Sequence, residues 1–148
     1  MENKLIFAKE IIKEAGAFIK ESLSKTITVE EKTAFDDLVT NIDKQTQDLL
    51  VARIKSAFPS DNIFAEENGL VHNIKDGNVW VLDPIDGTVN FIVQQDNFCV
   101  MIAYYEEGKG KFGLIYNVMA EQLFYGGGQF DVYCNDKPLP TYKNRPLE

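Results

Sequence analysis

The chain has 148 residues, of which 45% are hydrophobic, and this is enough to build one domain with a substantial core. Its formal net charge is -8 and its pI is about 4.7. A nucleic-acid backbone needs a basic surface, so nucleic acid is excluded as the main partner. The acidic balance fits a cluster of carboxylate metal ligands, and it fits an ordinary soluble enzyme equally well.

Cysteine usage and hydropathy indicate a reduced, soluble compartment. Cys99 and Cys134 lie far apart in apolar runs, without a second Cys or a His at metal-ligand spacing, so both are predicted to be reduced core residues. No apolar run is long enough to cross a bilayer, and the charged, amphipathic N-terminus is unlike a signal peptide. We therefore expect a cytoplasmic protein with no membrane partner.

Helical periodicity dominates the first part of the chain. Apolar residues recur at three- and four-residue steps over residues 5–23, which predicts an amphipathic helix. Residues 26–29 are compatible with an extended segment, and residues 30–37 resemble a polar loop. A second helix is predicted from Thr40 to Phe58, with Pro59 just beyond its end.

The hydrophobic period then changes to that of strands. The predicted strands are residues 63–65, 79–82, 98–105, 112–118, 123–125 and 130–134. A glycine-containing loop at 106–110 and turns at 126–128 and 135–136 connect the later strands as hairpins. The predicted fold class is α+β, with two N-terminal helices packed on one face of a mostly antiparallel sheet.

The segment Asp-Pro-Ile-Asp-Gly-Thr that begins at Asp83 carries the strongest chemical signal. Pro84 is expected to end a buried strand, and a turn then directs the carboxylates of Asp83 and Asp86 to one point. The amides of Gly87 and Thr88, at the start of a short helix, form a natural phosphate seat. Carboxylates beside a phosphate need a cation between them, and oxygen ligands favour Mg²⁺. Such residue pairs also form ordinary turns, and Asp86 alone can cap a helix.

Two further acidic positions are candidates for the same site. Glu66 and Glu67 follow a short strand, where adjacent side chains point to opposite sides, so one of them faces the site and the other faces a neighbour. The alternative interpretation is a solvated strand end. Asp43 is predicted on the first turn of the second helix, where its alternative role is a favourable interaction with the helix dipole.

Together these residues resemble the inositol monophosphatase family, the Mg²⁺-dependent, Li⁺-sensitive phosphomonoesterases. The matching blocks are residues 37–43, Glu66-Glu67 and residues 80–91, whose Asp-Pro-Ile-Asp-Gly-Thr-x-Asn-Phe core is highly specific. The resemblance implies the first half of a layered αβαβα sandwich. It also implies that a metal-activated water attacks the phosphate of inositol monophosphate or a related small phosphate ester. Mg²⁺ is the implied cofactor, Mn²⁺ a possible substitute and Li⁺ an inhibitor.

The resemblance also implies a set of metal ligands. Glu66, Asp83 and the carbonyl oxygen of Ile85 would hold a first metal. Asp83 and Asp86 would share a second metal, so that Asp83 bridges the two. Glu67 would support these ligands from behind.

The phosphate and the attacking water are assigned in the same way. The amides of Gly87 and Thr88 would bind the phosphate. The hydroxyl of Thr88, oriented by Asp43, and the carboxylate of Glu66 would position and activate the water. Lys32 would lie in a mobile loop that approaches the site.

Length is the largest departure from the family. Its members continue into a second α/β half, which supplies one more aspartate to the second metal and most contacts to substrate hydroxyls. Residues 1–148 are therefore expected to be an N-terminal metal- and phosphate-binding domain without the C-terminal half, and to be weak or inactive alone. Two alternatives stay open. One is a binding module that self-associates, for instance as a homodimer, through exposed sheet surface. The other is a metal-free structural domain.

Overall fold

The computed structural model describes residues 2–26, 32–65 and 70–140, apart from the side chains of residues 26 and 32–40. Its helices are α1 (Glu2–Thr26), α2 (Lys32–Ala57) and α3 (Thr88–Gln94). Within these ranges, we find no helix whose length and apolar character would allow it to span a membrane.

Seven strands form a single sheet. They are β1 (Asn62–Ala65), β2 (Asn78–Asp86), β3 (Cys99–Glu106), β4 (Lys109–Asn117), β5 (Gln122–Gly127), β6 (Phe130–Cys134) and β7 (Lys137–Pro138). Each strand pairs with the next strand along the chain, so the order in the sheet is β1 to β7. Strands β1 and β2 are parallel and every later pair is antiparallel. The predicted α+β class, with two N-terminal helices and a mostly antiparallel sheet, is confirmed.

Two hairpins close through residues in the left-handed conformation. Glu107 and Gly108 join β3 to β4 with φ values of 50° and 80°. Asn135 and Asp136 join β6 to β7 with φ values of 49° and 67°. Two successive positive φ angles are the mark of the type I′ turn, whose twist matches that of the paired strands.

Helix α1 buries the stripe that its periodicity predicts. Its buried apolar residues are Leu5, Ala8, Ile11, Ile12, Ala15, Ile19 and Leu23. A Cβ on Gly16 would lie 2.4 Å from Cε2 of Tyr116 on β4, so the helix approaches the sheet more closely than any side chain at that position would allow. The first predicted helix is therefore confirmed in place and in buried face.

An aromatic cluster lies between the helices and the sheet. The ring of Trp80 on β2 lies 6.0 Å from both Phe7 and Phe58, and 4.8 Å from Tyr104 on β3, measured between centroids. Trp80 and Tyr104 are directly opposite each other in the sheet. Because opposite residues share a face, this row marks the covered face of the sheet.

The other face of the sheet is open in the described part of the chain. Val81, Ala103, Gly113 and Gly126 form one cross-strand row on this face. A neighbouring row consists of Asp83, Met101, Ile115 and Phe124. The side chains of Ile115 and Val132 are 43% and 50% exposed. We call this surface, lined by the two rows and Val132, the open face.

The start of the second helix was predicted wrongly. The backbone is already helical at Lys32, so the predicted loop at 30–37 is wrong from that residue onward, and Lys32 begins a helix instead of lying in a loop. Thr26 ends α1, so the extended segment predicted at 26–29 is wrong at its first residue, and residues 27–31 lie outside the described ranges. Lys and Asp are acceptable in a helix that faces solvent, so local polarity alone did not distinguish the two states.

Candidate metal and phosphate site

A β-bulge in β2 brings two carboxylates to the same face of the sheet. Asp83 lies opposite Met101, whereas Asp86 lies opposite Cys99, so β2 advances three residues while β3 advances two. Residues three apart on a regular strand point to opposite faces. The extra residue removes that alternation, and Asp83 and Asp86 both follow the face that Met101 and Cys99 share.

Pro84 lies inside this bulge, and it does not end the strand as predicted. Strand β2 continues to Asp86, and both Pro84 and Ile85 are buried. A proline donates no hydrogen bond to a ladder, and a bulge is one of the few interior positions where that is tolerated. The prediction of a turn after Asp83 was therefore wrong, but the bulge performs the task that the turn was expected to perform.

The thiol of Cys99 lies close to both carboxylates. Its Sγ is 3.8 Å from Oδ2 of Asp86. Burial, the charge of Asp86, its hydrogen bond with the thiol and the charge of Asp83 raise the pKa of Cys99 to about 11. Both carboxylates therefore act on one thiol, which stays protonated at neutral pH.

Neither cysteine occupies the core position that was predicted from its apolar neighbours. Cys99 and Cys134 are both free thiols and both are only half-buried. Sequence reasoning missed that Cys99 belongs to the site. The signal lay in the pairing of β3 with the end of β2, which local hydrophobicity does not contain.

Gly87 forms the corner between β2 and α3. Its φ and ψ angles are 87° and 44°, a left-handed conformation that glycine adopts without steric cost. Thr88 then begins α3, as predicted, and its hydroxyl donates to the carbonyl oxygen of Ile85 at 3.4 Å. The helix is anchored by buried Phe91, whose ring centroid lies 4.8 Å from that of Phe98.

Asp43 lies on α2, about three turns from its start and not on its first turn. The alternative role, a carboxylate favoured by the positive end of the helix, is therefore wrong, because that effect fades within the first turn. The side chain is half-buried and its Oδ1 atom is shielded from solvent.

The remaining predicted residues fall partly outside the structure. Glu66 and Glu67 lie outside the described residues, and only the backbone of Lys32 is described. Within the described ranges, we find no group of three or more His, Cys, Asp or Glu side chains placed to hold a metal ion. Of the carboxylates predicted to bind metal, Asp83 and Asp86 lie within the described residues.

An open apolar cavity of about 440 Å³ begins beside Asp83 and extends across the open face. Among the described residues that line it, Asp83 carries the only charge. The other lining residues are Val81, Met101, Ile102, Ala103, Gly113, Leu114, Ile115, Phe124, Tyr125, Gly126 and Val132. A lining this apolar suits packing against protein better than binding a phosphate ester.

The fold and this acidic corner define a class: an α+β domain whose carboxylates lie at a strand–helix junction. The chain belongs to the inositol monophosphatase family, whose model matches residues 1–148. The predicted resemblance is therefore confirmed, and the family and the named relatives are those of phosphatases.

Individual relatives agree. An inositol-1-monophosphatase of Bacillus subtilis is 42% identical over 143 residues, which cover 95% of this chain and 54% of that protein. The crystal structure of inositol monophosphatase II from Staphylococcus aureus has a TM-score of 0.90 and 36% identity, covering 99% of this chain and 53% of that one. A structure of inositol monophosphate bound SaIMPase-II has a TM-score of 0.84 and 35% identity, covering 98% and 52%. The chain thus spans about half the length of the relatives it matches.

Proposed function

We propose that this chain forms the metal- and phosphate-binding half of a Mg²⁺-dependent phosphomonoesterase acting on inositol monophosphate or a related small phosphate ester. The observation that carries the proposal is the bulge that places Asp83 and Asp86 on one face directly before Gly87. The name of the Bacillus subtilis relative and the inositol monophosphate bound to SaIMPase-II support the substrate class. The chain spans about half of those proteins, so whole-enzyme activity is part of the proposal.

The donor atoms of this corner suit a hard cation. Asp83 and Asp86 provide carboxylate oxygens, and the carbonyl oxygen of Ile85 keeps a second lone pair beside the bond from Thr88. The Cys99 thiol beside them is a softer donor, which a hard cation disfavours. An oxygen-only set favours Mg²⁺, with Mn²⁺ as a substitute. We propose Li⁺ as an inhibitor on family grounds alone.

The proposed ligands follow from the family. Glu66, Asp83 and the Ile85 carbonyl would hold one ion, and Asp83 with Asp86 would hold a second, supported by Glu67. When bound, such ions offset the charge of the phosphate and lower the pKa of water.

The start of α3 would bind the phosphate. The first N–H groups of a helix have no intrahelical acceptor, so the amides of Gly87 and Thr88 are available to an anion. A left-handed residue followed by a right-handed one, as at Gly87 and Thr88, directs successive N–H groups into one concavity. The hydroxyl of Thr88, together with Asp43 and Glu66, would hold and orient a water for attack. Lys32 would approach from the start of α2.

Calorimetric titration with Mg²⁺ and Mn²⁺ tests the metal part of this proposal. We expect binding by the 148-residue chain, at least tenfold weaker binding in Asp83→Asn, and a smaller loss in Asp86→Asn. Asp131→Asn, an exposed change on β6, is the matched control. If no binding occurs and Asp86→Asn changes nothing, the chain is a metal-free structural domain.

Phosphate release from inositol-1-phosphate tests the catalytic part. We expect Mg²⁺-dependent release that is weak or below detection from this chain, since electrostatic stabilisation depends on a complete site and the family's further aspartate belongs to the other half. Release at ordinary enzyme rates would contradict that expectation, although it would strengthen the assignment as a phosphatase. Added Li⁺ should suppress any release.

The open face favours a second candidate, a metal- or phosphate-binding module that self-associates without turnover. Ile115 and Val132 are exposed there, beside a cavity with an apolar lining. Exposed apolar surface of this kind marks interaction sites. Light scattering distinguishes this candidate, because a strict monomer at high concentration counts against it.

A further inference from the structure

The side chain of Asn90 ties α3 to the segment that follows it. Its Nδ2 donates to the backbone carbonyl of Asn97 at 3.0 Å. Asn97 lies in the connection between α3 and β3, seven residues later. A side chain of the helix therefore holds a backbone atom outside the helix.

The Asn97 carbonyl, which accepts from the Asn90 side chain, packs against Gly87. The oxygen of Asn97 lies 3.1 Å from the position that a Cβ on Gly87 would occupy, and Cα of Phe98 lies 3.5 Å from it. Real Cβ atoms seldom come so close to a carbonyl oxygen, so the backbone of the connection lies directly over Gly87. A displacement of this carbonyl would open space at Gly87, whose backbone is the least restricted of any residue.

The connection needs to be held, because its backbone is costly. Gln95 and Asn97 have φ values of 55° and 56°. A left-handed conformation costs a residue with a side chain about 1 kcal/mol. Local bonds offset part of this cost: the amide of Gln95 donates to the carbonyls of Asn90 and Phe91 at 3.1 Å, and Asn97 Nδ2 donates to Gln94 Oε1 at 2.8 Å. These local bonds do not involve the Asn97 carbonyl, which instead accepts the bond from the Asn90 side chain.

We propose that Asn90 is a positioning residue for the phosphate-binding corner. By fixing the Asn97 carbonyl over Gly87, it fixes the direction of the Gly87 and Thr88 amides. The inference rests on the proposed function, because those amides are the phosphate donors there. The role assigned to Asn90 needs no contact of its own with phosphate or metal, since its side chain bonds the Asn97 carbonyl.

The test uses the 148-residue chain, inorganic phosphate as the probe, and Mg²⁺ at a fixed concentration. We expect Asn90→Ala to weaken phosphate binding by about fivefold to tenfold, the loss that one well-placed hydrogen bond explains. The exchange rate of the Phe91 amide, which donates to the Gly87 carbonyl at 2.9 Å, should rise by a similar factor when measured by NMR, while the rates of core residues such as Leu82 stay unchanged. A residue with a merely structural role would change the core rates as well.

Two further variants make the result decisive. Asn90→Gln keeps the carboxamide on a longer side chain. It should restore part of the phosphate affinity and part of the protection from amide exchange. Asn73→Ala is the matched control. It removes an exposed carboxamide whose oxygen accepts from the backbone amide of Lys75 at 2.9 Å in a remote turn. It should change neither the phosphate affinity nor the amide exchange rate. If Asn90→Ala unfolds the chain, the Asn90→Gln exchange rates decide, since an unaltered Phe91 amide with a displaced carboxamide would overturn the inference.

The two proposals fail in different ways. If the unaltered chain binds no phosphate, the proposed function fails, and the exchange rate of the Phe91 amide still decides whether Asn90 holds the backbone at Gly87. If the unaltered chain binds phosphate and Asn90→Ala matches it in affinity and in Phe91 amide exchange, the positioning role of Asn90 is overturned and the proposed function stands.

Discussion

The indole nitrogen of Trp80 donates to Oδ2 of Asp61 at 2.9 Å, and this joins the loop after α2 to strand β2. The Nζ atom of Lys4 lies 2.7 Å from the same oxygen. Asn78 donates to the other oxygen at 3.2 Å. The Asp61 side chain is only 5% exposed, so one buried carboxylate satisfies three donors from two elements of the fold, α1 and β2.

Replacing that carboxylate should be severe. We expect Asp61→Ala to lower the free energy of unfolding by about 3 kcal/mol, because it leaves the Trp80 N–H without its acceptor and the Lys4 ammonium without its buried counter-charge. Urea denaturation followed by tryptophan fluorescence measures the change. Asp131→Ala, an exposed position, should cost less than about 0.5 kcal/mol. Equal effects of the two changes would mean that the buried network contributes little.

The contact between Gly16 and Tyr116 predicts a second sensitive position. Alanine favours helix over glycine by about 1 kcal/mol, but a Cβ at 2.4 Å from the Tyr116 ring forces the buried ring or the helix to move. We expect Gly16→Ala to destabilise the fold by about 1–3 kcal/mol net. Adding Tyr116→Leu should relieve part of that loss, and thermal unfolding of both variants checks it. A more stable Gly16→Ala protein would show that the ring moves freely.

The ion pair between Lys9 and Asp136 predicts a pH dependence of modest size. Lys9 Nζ lies 2.6 Å from Asp136 Oδ1, and the Tyr125 hydroxyl contacts the same oxygen. Hydrogen bonds from Lys9 and then Tyr125 lower the pKa of Asp136 below its ordinary value of 3.8. Burial tends to lower the pKa of Lys9, but its bonds to Asp136 and Tyr125 outweigh burial and raise it above 10.5.

The sign of the effect follows from these directions. A lowered carboxyl pKa stabilises the fold above pH 3.8, and that contribution is lost as the pH falls through the folded-state value. A raised lysine pKa stabilises the fold below pH 10.5, and that contribution is lost as the pH rises through its folded-state value. Asp136→Asn should therefore cost at most about 1 kcal/mol at pH 7, since the carboxylate is largely exposed, and progressively less as the pH falls through the folded-state pKa of Asp136. A difference that persists unchanged into acid would assign the loss to packing.

The open face predicts concentration-dependent association. We expect the 148-residue chain to self-associate, and Ile115→Lys or Val132→Lys to shift light scattering towards the monomer, since each places a charge on an apolar contact surface. Ile6→Lys is the matched control, because Ile6 is 59% exposed but lies on α1, in the layer that covers the opposite face. If all three variants scatter alike, the open face is not the surface of contact.

Much of this fold was predictable because its signals are local. The period of α1 appears directly in residues such as Ile12 and Ile19, and each strand from β3 to β6 lies within a few residues of its predicted range. The hairpin turns were equally readable, since Asn135-Asp136 is a sequence that tolerates two left-handed residues.

The start of α2 and the geometry of the site were not predictable in the same way. Whether a polar segment such as the one after Lys32 is helix or loop depends on what covers its neighbours, and periodicity does not report this. The motif identified Asp83 and Asp86 as partners, but the reason they share a face is a bulge measured against β3. The proximity of Cys99 to the two carboxylates follows from the same strand pairing, so the sequence alone did not predict it.

The strand order has a consequence for how the chain folds. Every strand pairs with its immediate successor, so the segments that must meet are separated mainly by short turns, apart from the steps from β1 to β2 and from β2 to β3. Loop closure between neighbouring strands then costs little entropy at most steps. During synthesis from the N-terminus, α1 and α2 leave the ribosome first. Each later strand then emerges after the strand with which it pairs. The sheet can therefore be assembled by sequential addition of strands from β1 to β7.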